Sequence, residues 1–226
     1  VKIKIGVIGA SGRMGQEIQT VISRNEQLEN FCAVDRNEEP GAKASEVDVW
    51  IDFSSPEALS KNLQWAITNQ KAFVCGTTGF SQEHYRLLEK AAEKIPVLWA
   101  SNMSMGVAVL NEALKAFSAI ADFDFQIEEI HHNKKKDRPS GTAITLKQNL
   151  EKVLNKSVPE TLAIRGGGVF GVHKIFAMSD EEVLTFEHTA LNRTVFAKGA
   201  VKAATWLVEQ KPGLYQIRDV LFGKRN

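Results

Sequence analysis

The sequence is short of cysteine, of net charge and of long apolar runs, and each shortage excludes something. Only Cys32 and Cys75 occur, each inside an apolar stretch ("FCAV", "AFVCGTT"). Two isolated thiols make no CxxC pair and no metal-ligand spacing, which argues against a disulfide framework and a cysteine-built metal centre. They read as buried free thiols of a reducing compartment. Lys plus Arg number 28 against 27 for Asp plus Glu, a formal charge of +1. Non-specific nucleic-acid binders carry a clear basic excess, so positive character here must act locally. No apolar run approaches membrane-spanning length. The opening "VKIKIGVIGA" reads as a strand, whereas a secretory leader needs a charged head and a longer apolar block. A soluble, cytoplasmic protein is expected. Internal repeats, low-complexity tracts and a Pro/Gly/Ser-rich linker are missing too.

What remains is globular. Hydrophobic residues make up 43% and charged residues 24% of 226 positions, enough for one large or two modest domains with real cores. The first hundred residues alternate strand and helix patterns: "IKIGVIG", a helix from about Gly12 to Arg24, "NFCAVD", "VDVWIDF", "PEALSKNLQWAITNQ" with Pro56 in its first turn, "KAFVCGTT", "SQEHYRLLEKAAEK" with Ser81 as N-cap, and "IPVLWAS". Regular β-α alternation with β-branched strands predicts a parallel sheet with helices on both faces.

After Asn102 the pattern changes. A long apolar helix is expected over "SMGVAVLNEALKAFSAIA", then an alternating strand "FDFQIEEIHH", a helix beginning near Pro139, and the strands "ETLAIRGG", "FGVHKIFAM" and "EEVLTFEHTA". Consecutive alternating strands suggest an open, mixed or mostly antiparallel sheet in a second, α+β domain. The helix "RTVFAKGAVKAATWLVEQ" and the tail "GLYQIRDVLF" are expected to return to the first domain. The reading is therefore an α/β protein with a first domain over 1–102 and 193–226 and a second, α+β domain over 103–192.

"GVIGASGRMG" places Gly9, Gly12 and Gly15 between a strand and a helix. Such glycines let a backbone turn tightly and approach a pyrophosphate, while the helix N-terminus offers N–H groups to the anion, as in Rossmann-type domains. Asp35 ends the second strand about 20 residues further on, where a carboxylate takes ribose hydroxyls. Arg36 beside it is either a surface residue or a clamp for the 2′-phosphate of NADPH, so the pair leaves NADH and NADPH both open. Arg13 lies along the pyrophosphate or points into water. The strand ends Gly76, Thr77, Thr78 and Ala100 to Ser104 line the same crevice or serve as turns and caps.

The stretch "HHNKKKDRPSGTA" gathers cations at a strand-to-helix junction of a nearly neutral chain. His131 and His132 are adjacent and point to opposite faces of a regular strand, so one of them is a candidate core histidine. Lys134 and Lys136 read as solvated surface around Lys135. Arg165 and His173 are candidates to line the second domain, and His188 reads as structural or exposed.

"EIHHNKKKDRPSGTA" resembles the E-x-HH-x-x-K-x-D-x-PSGTA signature of the bacterial 4-hydroxy-tetrahydrodipicolinate (dihydrodipicolinate) reductase family. The likeness extends in order through "GASGRMG", "IDFSSPEA", "GTTGF", "SNMSMGV", "IRGGGVFGVH" and "GLYQIRDVLF", and covers most of the chain. The resemblance implies NADH- or NADPH-dependent reduction of a small cyclic imine dicarboxylate with loss of water, in lysine biosynthesis by the diaminopimelate route. It also implies a dinucleotide-binding domain over 1–102 and 193–226 and a substrate-binding and oligomerisation domain over 103–192, which close on cofactor and substrate, and a homotetramer. A dianionic substrate accounts for the cation cluster. By the same resemblance His131 is the acid–base group and Lys135 the proton donor. His132 contacts substrate, and Gly141 and Thr142, with the Ser140 hydroxyl, cradle a carboxylate at the start of a helix. Gly9, Ala10, Ser11, Gly12, Arg13 and Met14 would contact the dinucleotide, as would Asp35, Arg36, Gly76, Thr77 and Thr78, and Ala100, Ser101, Asn102 and Met103. No metal is implied. Lys136 and Arg138 stand where the family has small or apolar residues, and the segment between Arg36 and Val47 is short for the family.

Two other readings fit parts of the chain. A Rossmann oxidoreductase acting on another small anion would need its own catalytic group, for which Cys75 is the candidate. A dinucleotide-sensing module would leave "HHNKKKDRPSGTA" without a purpose.

Overall fold

A computed structural model describes residues 2–223, which form two compact units. One takes the described residues up to Ser104 and those from Thr194 onward; the other is Met105–Arg193.

The first unit is built on six parallel strands: β1 (Ile3–Ile8), β2 (Leu28–Val34), β3 (Val49–Asp52), β4 (Ala72–Cys75), β5 (Pro96–Trp99) and β10 (Gly213–Tyr215), in the order β10-β5-β4-β3-β1-β2. Successive residues of the inner strands feed opposite cores. Val49, Ile51, Val74 and Leu98 pack with Ile18 and Ile22 of α1 (Arg13–Ser23) and with Ala200, Ala204 and Leu207 of α6 (Thr194–Leu207). Trp50, Phe73, Cys75 and Val97 pack with Leu59, Leu63 and Ala66 of α2 (Leu59–Thr68) and Leu88 and Ala91 of α3 (Gln82–Ala92). With both faces covered, alternation disappears and the strands read as continuous apolar runs. Each fully buried Ile, Leu or Phe supplies about 1.5–3 kcal/mol, which is what holds such short strands in place. Pro56 opens a 3₁₀ turn (Pro56–Ala58) ahead of α2, and Ser81 caps α3, its N–H donating to His84 Nδ1 at 3.0 Å.

The topology reverses at β1, with β2 on one side and β3 on the other. Open α/β sheets bind ligands at such a switch point, outside the carboxyl ends of the strands. The segment after Arg36 carries only a 3₁₀ turn, Gly41–Ser45, so β2 stays at the sheet edge.

The second unit carries a mixed sheet in the order β7-β6-β8-β9: β6 (Asp124–His131), β7 (Leu162–Arg165), β8 (Gly171–Met178) and β9 (Val183–Ala190). β7 runs parallel to β6, while β8 and β9 are antiparallel to their neighbours. Phe125, Ile127, Ile175 and Ala177 face a core with Leu110 of α4 (Met105–Ala113) and Leu146, Leu150 and Leu154 of α5 (Gly141–Leu154). Two expected helices are adjusted. The long apolar helix stops at Ala113 and continues as a 3₁₀ segment, Leu114–Ile120. Apolar spacing of three and four does not separate the two geometries over so few turns. The helix expected near Pro139 starts at Gly141, because Ser140 is the N-cap and its Oγ accepts from Ala143 N at 3.2 Å. A final short helix, α7 (Asp219–Phe222), follows β10.

Candidate active site

At the carboxyl edge of the parallel sheet, a cavity of about 810 Å³ is lined by Ile8, Gly9, Ser11 and Gly12 after β1, Asp35–Glu38 after β2, Phe53–Ser55 after β3, and Glu57, Ala58, Lys61, Asn62 and Trp65. Gly9 has φ +78°, a left-handed conformation that a side chain would strain, and a Cβ there would lie 2.8 Å from the Phe53 oxygen. At Gly15 a Cβ would meet the Gly9 oxygen at 2.2 Å, so only glycine lets α1 pack this close under the loop. No side chain caps α1 at Gly12, and no acidic residue occupies its first turn. That leaves an N-terminus suited to a pyrophosphate. The loop, the helix end and the cavity together fit a dinucleotide.

Asp35 is fastened to the loop. Its carboxylate accepts from Ser11 N (3.0 and 3.1 Å) and Ser11 Oγ (2.9 Å). Arg36 is exposed on the cavity wall. Arg13 is exposed in the first turn of α1, and Met14 packs against the core. Gly76, Thr77 and Thr78 follow β4, and Ala100, Ser101, Asn102 and Met103 follow β5, on the same edge of the sheet but outside the lining of the cavity. Thr77 is buried, with its carbonyl accepting from Trp99 Nε1 at 3.1 Å, and the Ala100 and Met103 side chains lie in the core. Asp52 was not singled out from sequence. Fully buried, it accepts from Ser54 N (2.8 Å), Ser54 Oγ (2.6 Å) and Asn62 Nδ2 (3.0 Å), shaping the wall after β3; burial pushes its carboxyl up against those bonds. Cys75 is wholly buried and its thiol is pushed far up by burial, which removes it as a nucleophile.

In the second unit the strand-to-helix junction is a charged network. His131 ends β6 on the buried face, two residues after Glu129. Glu129 is fully buried. Its Oε2 contacts His131 Nδ1, and its Oε1 accepts from Arg165 NH2 at 2.7 Å and from Ser140 N at 3.2 Å. Arg165, opposite His131 on β7, also donates to the Asp137 carbonyl at 2.6 Å, pinning the loop between β6 and α5. Lys135 on that loop is half-buried and pairs with Asp137 at 2.8 Å, while Lys134, Lys136 and Arg138 are exposed. His173, opposite Glu129 on β8, stacks edge-on to His131 with centroids 5.1 Å apart and lies 3.3 Å from Ser140 Oγ through Nε2. His132 leaves the strand half-buried, with Nδ1 buried and unpartnered. The Ser140 hydroxyl is committed to the cap and His173, so it shapes the helix end; Gly141 and Thr142 form the first turn. His188 is half-buried on β9 opposite His173.

The electrostatics follow from these positions. Burial lowers the His131 pKa; Glu129 opposes that, and Lys135 and Arg165 add to it. Burial pushes Glu129 up, but Arg165 and His131 outweigh it and hold the carboxyl below its usual range. His173 is driven down to about 3, by burial first and then by His131. Ligand atoms of Glu129, His131 and His173 lie within 4.8 Å of one another, a cluster that the sequence spacing did not reveal. The Arg165 guanidinium on Glu129 and the nearby Lys135 set fixed positive charge against a cation there, so the cluster acts as an ion-pair and hydrogen-bond network.

Known proteins share both halves. Residues 3–103 match the family described as dihydrodipicolinate reductase, N-terminus, and residues 106–221 match dihydrodipicolinate reductase, C-terminus. A 4-hydroxy-tetrahydrodipicolinate reductase of Bdellovibrio bacteriovorus is 71% identical over 99% of this chain and 98% of its own. One from Campylobacter jejuni is 39% identical over 97% and 99%. Among solved structures, a dipicolinate-bound dihydrodipicolinate reductase from Paenisporosarcina sp. TG-14 superposes with a TM-score of 0.79 at 22% identity, covering 96% of this chain and 98% of that one, which speaks for the fold. With both halves matched in order and a relative this similar along nearly its whole length, the chain belongs to the dihydrodipicolinate reductase family.

Proposed function

We propose that the chain is an NAD(P)H-dependent oxidoreductase that reduces 4-hydroxy-tetrahydrodipicolinate to tetrahydrodipicolinate with loss of water, in the diaminopimelate route to lysine. The observation that carries the reading is the junction after β6. There His131 and the N-cap of α5 meet at one buried carboxylate, with Lys135 close enough to act on the His131 ring, in a chain whose net charge is only +1.

The glycine loop Gly9–Met14, with Asp35 and Arg36, holds the dinucleotide, joined by Gly76–Thr78 and Ala100–Met103 from the neighbouring strand ends. When bound, that cofactor supplies the hydride. The substrate is a dianion. The Gly141 and Thr142 amides at the α5 N-terminus bind one carboxylate, and His132, with its unpartnered Nδ1, reaches the substrate as well. Lys135 donates the proton that balances the hydride, and His131 moves protons at Nε2 while water departs. Burial favours the neutral form of His131, against the pull of Glu129. An arriving dianion favours the imidazolium, so substrate binding is coupled to proton uptake.

The second sheet supports a reading of assembly. Its outer face, turned away from the helices, carries Ile130, Val172 and Phe176, with Ile164 44% and Val183 61% exposed at the margins. Together with the charged row on the same face, where Lys174 meets Glu128 at 3.6 Å and Glu187 at 3.9 Å, these apolar groups are suited to burial against further copies, and we assign the face to a homotetramer. Sedimentation should give a tetramer that Ile164→Glu reduces to smaller species; a wild-type monomer would remove the assignment. The two free thiols suit a cytoplasmic setting, and among the described residues no helix is long and apolar enough to cross a membrane.

The deciding assay supplies freshly made dihydrodipicolinate-synthase product and follows NADH or NADPH oxidation. Turnover with at least one of them is expected. Its absence with both would reject the function.

A further inference from the structure

Glu129 is the least accessible charged group of the second unit's network. It has 0% exposure, yet it lies in direct contact with the histidine that moves protons. A buried carboxylate at such a place is costly unless every lone pair is used. Here they are used in a particular way. Oε2 takes His131 Nδ1, and Oε1 takes both Arg165 and the backbone N–H of Ser140, the residue that caps α5.

We propose that Glu129 is a positioning residue for the reaction: it fixes the tautomer and orientation of His131 and ties that ring to the carboxylate-binding end of α5. The inference rests on the reading of His131 as the proton-moving group.

An ionised carboxylate only accepts hydrogen bonds, so the proton of a neutral His131 must sit on Nδ1 and the lone pair on Nε2. Nε2 packs beside Gly171, where a Cβ would come within 3.0 Å, so the glycine keeps a side chain from crowding it. The same carboxylate supplies the negative charge that supports an imidazolium. It acts against burial and against Lys135 from the loop and Arg165 from β7. The other ionisable groups around the ring are Asp137, which pairs with Lys135, and His173 from β8, with His188 beyond it on β9. Neither His173, driven down to about 3, nor His188, also lowered by burial, offers the negative charge that Glu129 does. Through Ser140 N the carboxylate fixes the helix end that the substrate uses, so one side chain aligns the proton-transfer group with the binding group.

The test is Glu129→Gln, which keeps the shape and removes the charge, measured with NADH across pH beside His131→Ala and the double variant. In Glu129→Gln, kcat is expected to fall on the order of 10–100-fold, with the cofactor KM unchanged within about 3-fold. The limb of the pH profile that belongs to His131 should move to lower pH, because the charge that favours imidazolium is gone. A side chain that merely filled space would lower the rate without moving the limb, and that result would overturn the proposal. In the His131→Ala background, Glu129→Gln should add less than about a 3-fold loss, since the two act as one unit. If His131→Ala keeps its kcat, the catalytic reading fails. If it loses kcat while Glu129→Gln retains both rate and limb, only the present inference fails. Should the variants not fold, ¹⁵N-histidine NMR of the wild-type protein decides: His131 must carry its neutral proton on Nδ1, and an Nε2–H tautomer overturns the proposal. Activity lost on dialysis against a chelator and restored by a divalent metal would also overturn it, in favour of a metal held by Glu129, His131 and His173.

Discussion

The two strand-to-helix junctions, β1 into α1 and β6 into α5, solve opposite problems with similar geometry. The first is emptied of side chains. Glycines turn the chain and bring helix and strand together, and no side chain caps α1. The second is filled. Ser140 caps α5, Glu129 bonds the cap residue's N–H, and Arg165 pins the loop. A backbone-lined junction takes a ligand by shape and helix dipole, and suits the pyrophosphate of a dinucleotide, which the hydride transfer leaves unchanged. A junction wired with ionisable groups can move protons, and its behaviour must follow pH.

The sharpest way to break that comparison is to ask whether damage at the two junctions separates kinetically. His131→Ala or Lys135→Ala should lower kcat by roughly 10²–10⁴-fold, the range for a lost acid or base, with dinucleotide affinity intact. Gly15→Val, which drives a side chain into the Gly9 oxygen, should weaken dinucleotide binding first. Steady-state kinetics with a direct cofactor titration reads both. Loss of cofactor binding in His131→Ala would show that the division of labour is wrong.

Much of this division was legible in the sequence, and the illegible part has a physical cause. The glycine loop and the β-α alternation are local patterns, and the first-unit elements appear where those patterns lie. Glu129 was within reach: strand periodicity places residues 129 and 131 on one face, so the "E" of "EIHH" had to share the buried side with His131. Arg165 and His173 were not within reach as partners. They join the site only because β7 pairs parallel to β6 and β8 antiparallel to it, and neighbour order with register is a long-range outcome. Asp52 was hidden for another reason: its partner Asn62 lies on a helix, and a buried Asp–Asn contact has no periodic signature.

Acid should sharpen the contrast next. His173 has a folded pKa of about 3 against about 6.5 unfolded, so between those values the unfolded chain binds the extra proton. Its contribution is complete above about pH 6.5 and is lost as pH falls toward 3, on the order of 3–5 kcal/mol. The lowered pKa values of His131 and Glu129 act in the same direction. Asp52 in the first unit acts oppositely: its carboxyl is raised by burial, so protonation favours the fold. The second unit should therefore open at higher pH. All four tryptophans, Trp50, Trp65, Trp99 and Trp206, lie in the first unit, so their emission reports that unit alone. Hydrogen exchange at β6 and β8 should lose protection before tryptophan emission shifts. Coincident transitions would count against the separation.

The smallest expected effect tests the first junction for the selectivity that its emptiness leaves to the rim. Asp35 would be expected to repel a 2′-phosphate, yet its carboxylate is turned onto Ser11 N and Oγ, where two donors partly offset its charge. Arg36 stands exposed on the same wall, and Lys61, the other cation there, is paired with Glu39 at 3.1 Å. Arg36 is thus the cation in position to meet a phosphate, across a solvated surface where one contact is worth little. Arg36→Ala should raise KM for NADPH by about 3–10-fold and leave KM for NADH nearly unchanged, and added salt should shrink the difference. Equal changes for the two cofactors would mean that Arg36 plays no part in reading the 2′ position, and that Asp35, loosened from Ser11 when the cofactor binds, governs the choice instead.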